Sequence, residues 1–106
     1  MRKTIITIAC CVGSSFFSSA WAHNPICECN AVTQTEIECI GGFSDGSTAP
    51  GVTLDVIGYD EETLLAGQLD TNSRLRFQRP EQEFYILFDA GPGHVVEIDH
   101  AEIETP

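Results

Sequence analysis

Val52-Thr53-Leu54-Asp55-Val56-Ile57-Gly58, the turn Asp60-Glu61-Glu62, and Thr63-Leu64-Leu65-Ala66-Gly67-Gln68-Leu69 form the stretch whose reading decides the fold. Val52, Leu54 and Val56 share one face if the chain is extended, because successive side chains of a strand point to opposite sides. No segment here or elsewhere carries a helical stripe long enough to compete with that alternation. Outward from this stretch the pattern recurs, and strands are predicted at Ile26 to Val32, Glu36 to Gly41, Val52 to Gly58, Thr63 to Leu69, Arg74 to Gln78, Glu83 to Phe88 and Val95 to His100. Between them lie Ser44-Asp45-Gly46, Pro50-Gly51, Asp70-Thr71-Asn72-Ser73, Arg79-Pro80-Glu81 and Gly91-Pro92-Gly93, all turn chemistry. Short alternating runs broken by turns about every eight to twelve residues are the spacing of a β-sandwich. The expected fold class is therefore all-β, a small seven-stranded sandwich.

The first 22 residues are set apart from that domain. Arg2 and Lys3 precede an apolar run from Ile5 to Val12, and Ala20-Trp21-Ala22 offers a small-residue cleavage site. This is the pattern of a signal peptide over 1–22, leaving residues 23–106 as one sandwich domain that begins at His23 and is periplasmic or secreted. Lipid attachment at Cys10 or Cys11 is the weaker reading, since the residues before them fit an attachment pattern poorly. The 106-residue chain has 16 acidic and 5 basic residues, a formal net charge of -11, and loss of Arg2 and Lys3 makes it more negative still. Such a balance argues against nucleic acid and against anionic lipid, both of which need Lys and Arg. No later stretch approaches the roughly 20 apolar residues of a membrane span, so no direct membrane insertion is expected.

Export also bears on the cysteines. Of five, Cys10 and Cys11 fall in the signal, and Cys27, Cys29 and Cys39 remain. A turn near Thr33-Gln34-Thr35 puts Cys29 opposite Cys39 on neighbouring strands, and Cys27 shares the face of Cys29. In an oxidising compartment this predicts a Cys29 to Cys39 disulfide with Cys27 left as a thiol. A thiolate metal site is the competing reading, though structural zinc normally takes four ligands at characteristic spacings.

If each connection reverses the chain, the loops sort onto two ends. His23, Asp45, Asp70, Asp89 and His94 then share one end. His100 lies roughly 20 Å away along the last strand at about 3.3 Å per residue.

Gly42-Phe43-Ser44-Asp45-Gly46 and Asp89-Ala90-Gly91-Pro92-Gly93-His94 resemble the Phe-Ser-Asp-Gly and Asp-Ala-Gly-x-Gly-His signatures of periplasmic components of cobalt and nickel uptake systems. Pro50-Gly51-Val52, Leu64 to Asp70 and Leu75-Arg76-Phe77 follow in the same order, so the resemblance covers about Gly42 to Ile98. It implies an immunoglobulin-like, Greek-key sandwich of the carboxypeptidase-regulatory-like or transthyretin-like kind. A His at the mature N-terminus is implied too, as is a role in delivering nickel or cobalt to membrane metal-transporter subunits.

The chemistry of the shared end agrees with that role. An N-terminal His23 can chelate through its α-amine and one ring nitrogen, His94 can add a third nitrogen, and Asp89, Asp45 or Asp70 can complete or orient the set. Nitrogen donors with oxygen support suit Ni(II), Co(II) or Cu(II) better than Mg(II) or Ca(II). Each residue also has a plainer role: a frayed terminus for His23, a bond to a backbone carbonyl for His94, and self-bonded turns for Asp45, Asp70 and Asp89. Asp99-His100 reads as a solvated pair. No nucleophile stands with a base and an orienting group, so the chain does not read as an enzyme. The alternative to metal handling is a metal-free immunoglobulin-like module for protein-protein interaction in the periplasm.

Overall fold

The structure is a computed structural model that describes residues 24–106; the expected signal segment and His23 lie outside the described residues. Seven strands form in the expected order: β1 Pro25–Ala31, β2 Glu36–Phe43, β3 Thr53–Gly58, β4 Thr63–Gln68, β5 Arg74–Gln78, β6 Phe84–Asp89 and β7 Val95–Asp99. A 3-10 helix, His100–Glu102, follows β7. Strand β2 runs past Gly41 to Phe43 because Phe43 N donates to Ser47 O and Gly42 bridges Thr48, which carries the ladder into the next loop. At the other extreme β7 stops at Asp99, whose side chain accepts from Ala101 N and caps the 3-10 turn while Glu102 reaches back to Asp99 N.

The strands pair into two antiparallel sheets, ordered β1-β2-β5 and β4-β3-β6-β7. The chain crosses between sheets after β2, after β4 and after β5, the Greek-key connectivity of an immunoglobulin-like sandwich. Strand β4 stays beside β3, its hairpin partner, rather than joining β5 as in a constant-type domain.

Alternation builds the core as the sequence predicts. Leu54 and Val56 of β3, Ile86 and Phe88 of β6, and Ile37 and Cys39 of β2 have no solvent exposure. Each such aliphatic or aromatic side chain contributes about 1.5–3 kcal/mol by leaving water. Gly41 belongs to this packing in a way that only a side-chain-free residue can. A Cβ there would lie 2.6 Å from Leu69 Cδ1 and 2.8 Å from the Phe88 ring, so its absence lets both side chains press against β2. Where β2 meets β5, the outer face of the same sheet is charged. Arg74 pairs with Glu38 at 3.1 Å, and Arg76 lies 4.0 Å from both Glu36 and Glu38. Arg79 points the other way, over the Phe84 ring, and donates to His100 O and Ile103 O. All three arginines of residues 24–106 thus already hold carboxylates or carbonyls.

Candidate functional site

The connections that flank β1, β2–β3, β4–β5 and β6–β7 gather at one end of the sandwich, as strand parity requires. Asn24 N donates to Ser44 Oγ and Ser44 N to Asn24 O, which fastens the start of β1 to the loop that carries Asp45. Ser73, almost fully buried, accepts from Ala49 N through its hydroxyl and from Gly41 N through its carbonyl, and so ties the β4–β5 turn to the β2–β3 loop. The three aspartates of this end bond first to their own turns. Asp45 Oδ1 accepts from Ser47 N at 2.9 Å, Asp70 Oδ1 from Asn72 N at 2.7 Å, and Asp89 Oδ1 from Gly91 N at 2.9 Å.

His94 closes the β6–β7 turn. Gly91 at φ 119° and Gly93 at φ 79° bend the chain in the left-handed region, and the turn brings His94 Nδ1 to 3.0 Å from Pro92 O. A carbonyl oxygen only accepts, so Nδ1 carries a proton, and in the neutral ring the lone pair lies on Nε2. A backbone carbonyl that fixes the tautomer is one of the usual supports behind a ligating imidazole. His94 is half-buried, and Asp89, paired with Thr53 and Val95, stands at the head of the same turn. Among the described residues, His94, Asp89 and Asp45 do not form a group of three ligating residues within reach of one ion.

The group that does converge is Cys27, Cys29 and Cys39, whose sulfurs lie within 4.8 Å of one another. Cys29 faces Cys39 across the β1–β2 ladder, and the two form a disulfide. Cys27, two residues along the same face, is a thiol. Burial, with the Glu28 carboxylate second, pushes that thiol up to about 12, so it is protonated at neutral pH. A cleft of about 240 Å³ lined by Cys27, Glu28, Cys29, Asn30, Ile98 and Glu102 opens beside the sulfurs.

A polar cluster at the opposite end is not a solvated pair. Tyr59 Oη donates to Asp99 Oδ1, and that bond pushes the Tyr59 hydroxyl up to about 12. His100 Nε2 lies 3.9 Å from both Glu83 and Asp99, and its ring packs on Tyr59 and Phe84. Sequence reasoning missed Tyr59 because forty residues separate it from Asp99.

The chain matches no protein-family model, no curated protein and no solved structure. No helix among the described residues is long and apolar enough to cross a membrane.

Proposed function

We propose that this protein is an exported, periplasmic accessory of a metal uptake system, one that binds nickel, cobalt or copper as cargo at its loop end and passes it to membrane transporter subunits. The observation that carries the reading is the His94 imidazole, with Nδ1 held by Pro92 O and Nε2 left as a donor. Two features support it: Asn24 is fastened to the Asp45 loop, and His23 directly precedes Asn24 in the sequence. An α-amine and imidazole from His23 would bring the nitrogen count to three, a donor set of borderline softness. The resemblance of Asp89 to His94 to the uptake-system signature points the same way.

Calorimetric titration of protein beginning at His23 with Ni(II), Co(II) and Cu(II) tests this. His94→Ala is expected to weaken binding about ten-fold or more, as is an extra residue ahead of His23, and His100→Ala to change little. Unchanged affinity in His94→Ala sinks the proposal.

A second reading, a metal-free interaction module, is favoured by the outer face of β1 and β2. Ile26 and Ile40 are 45% and 39% exposed there and border a groove of about 280 Å³ over Gly42. Binding of a partner on this face would be indifferent to an N-terminal extension.

A further inference from the structure

We propose that Cys27, Cys29 and Cys39 form a redox-gated site for one Cu(I) ion, opened when a dithiol reductant cleaves the Cys29–Cys39 disulfide. It is separate from the His94 reading and stands without it.

The backbone places the sulfurs. Cys29 and Cys39 are direct cross-strand partners, and Cys27 returns to their face two residues earlier. All three Sγ atoms already lie within 4.8 Å of one another. A metal at about 2.3 Å from each of three sulfurs needs them about 4 Å apart, so after reduction the Cys29 and Cys39 sulfurs part by about 2 Å from their bonded distance while the Cys27 sulfur, already within 4.8 Å, closes on them. Strand β1 is the edge of its sheet, and the cleft beside Cys27 and Cys29 is the way in.

The donor set selects the ion. Thiolates favour soft cations such as Cu(I). Zinc takes four ligands, and among the described residues no histidine or carboxylate joins the three sulfurs as a fourth. The carboxylates that line the adjoining cleft are otherwise placed, since Glu102 accepts from Asp99 N and Glu28 lies on the exposed face of β1. Three sulfurs alone suit Cu(I), which accepts trigonal coordination. Hard cations prefer oxygen ligands, and the group that converges among the described residues is three sulfurs.

The steps balance. The dithiol gives two electrons and two protons; its own sulfur-sulfur bond forms, the Cys29–Cys39 bond breaks, and two thiols result. Cu(I) then displaces three thiol protons as three copper-sulfur bonds form, with no change of oxidation state at metal or sulfur. Because binding displaces thiol protons, affinity rises with pH.

The test uses protein beginning at His23 that carries His94→Ala, so that the imidazole proposed above does not contribute. It is reduced anaerobically with a dithiol, desalted, and titrated with Cu(I) against a chromophoric Cu(I) chelator. The expected result is one Cu(I) per chain, a sulfur-to-copper charge-transfer band, and protection of all three cysteines from alkylation. Cys27→Ser, which retains the disulfide and folds oxidised, is expected to bind about ten-fold or more weakly once reduced. Unreduced protein is expected to show no band. Equal affinity in Cys27→Ser, alkylation of Cys27 in the loaded protein, or equal binding without reduction each overturns the proposal. So does a reduced protein whose amide spectrum is unfolded and is not restored by Cu(I).

Discussion

At the end that carries His94, Asp45 accepts from Ser47 N, Asp70 from Asn72 N and Asp89 from Gly91 N, each two residues ahead. At the other end Tyr59 donates to Asp99 forty residues on, Tyr85 to Glu61, and Arg79 to the carbonyls of His100 and Ile103. At the first end these carboxylates shape their own turns. The second end uses its polar groups to join the β3–β4 turn, β6 and the C-terminal segment. Loops that are shaped locally can present a donor such as His94 Nε2 without the fold depending on it. Groups that bridge elements hold the fold, and removing one of them or the packing beneath them should be felt globally.

The largest expected effect therefore lies at the bridging end. Phe84 is almost fully buried, with the Arg79 guanidinium over its ring and the His100 ring against it. Phe84→Ala is expected to cost about 3–5 kcal/mol in denaturant unfolding. His94→Ala, at a half-buried position whose ring bonds within its own turn, is expected to stay within about 0.5 kcal/mol of the parent. If the two changes cost the same, the contrast between the ends is broken.

Ser73, like the Asn24–Ser44 pair, joins elements at the loop end, and it sharpens the contrast. It is the buried polar side chain of the loop end, and its hydroxyl accepts from Ala49 N across 24 residues at 2.8 Å. Ser73→Ala leaves that amide without its acceptor, and the expected loss is about 1–3 kcal/mol. The residue already adopts φ 62°, a strain that serine and alanine share, so the difference reports the hydrogen bond. Hydrogen exchange at Ala49 and Gly41 should quicken together. Exchange unchanged at both would mean the turn is held by packing alone.

What was legible in the sequence follows the same division. Alternation in Leu54 and Val56 and in Ile86 and Phe88 marks strands because a side-chain period of two is a local property. The Asp45, Asp70 and Asp89 turns were readable for the same reason, and the Cys29–Cys39 pairing followed from a turn of known position. Gly41 looked like an ordinary strand end. Its reason for being glycine is the approach of Leu69 and Phe88 from later in the chain, which no window around residue 41 contains. The Tyr59, Asp99 and His100 cluster was hidden likewise, since it needs β3 and β7 placed on either side of β6 before the residues meet. His94 stood out by its Gly-Pro-Gly turn, but that its Nδ1 meets Pro92 O required the backbone path.

The smallest expected effect is a response to acid. The Tyr59 hydroxyl, and after it the Ala101 amide, hold the Asp99 carboxyl below its ordinary range. A carboxylate held low in the folded state adds stability that is complete above its unfolded value of about 3.9 and fades as pH falls through the folded one. The stability difference between wild type and Asp99→Asn should accordingly be flat above about pH 5 and shrink below it. Tyr59→Phe removes the first of these donors, so it should flatten part of the same acid limb. Tyr59→Phe made on top of Asp99→Asn should leave the limb where Asp99→Asn put it, because the two act through one bond. Urea unfolding of the four proteins across that range gives the cycle. If Tyr59→Phe acts independently of Asp99→Asn, the bond across forty residues is not what holds Asp99 low, and the bridging end owes its rigidity to the Phe84, His100 and Arg79 stack instead.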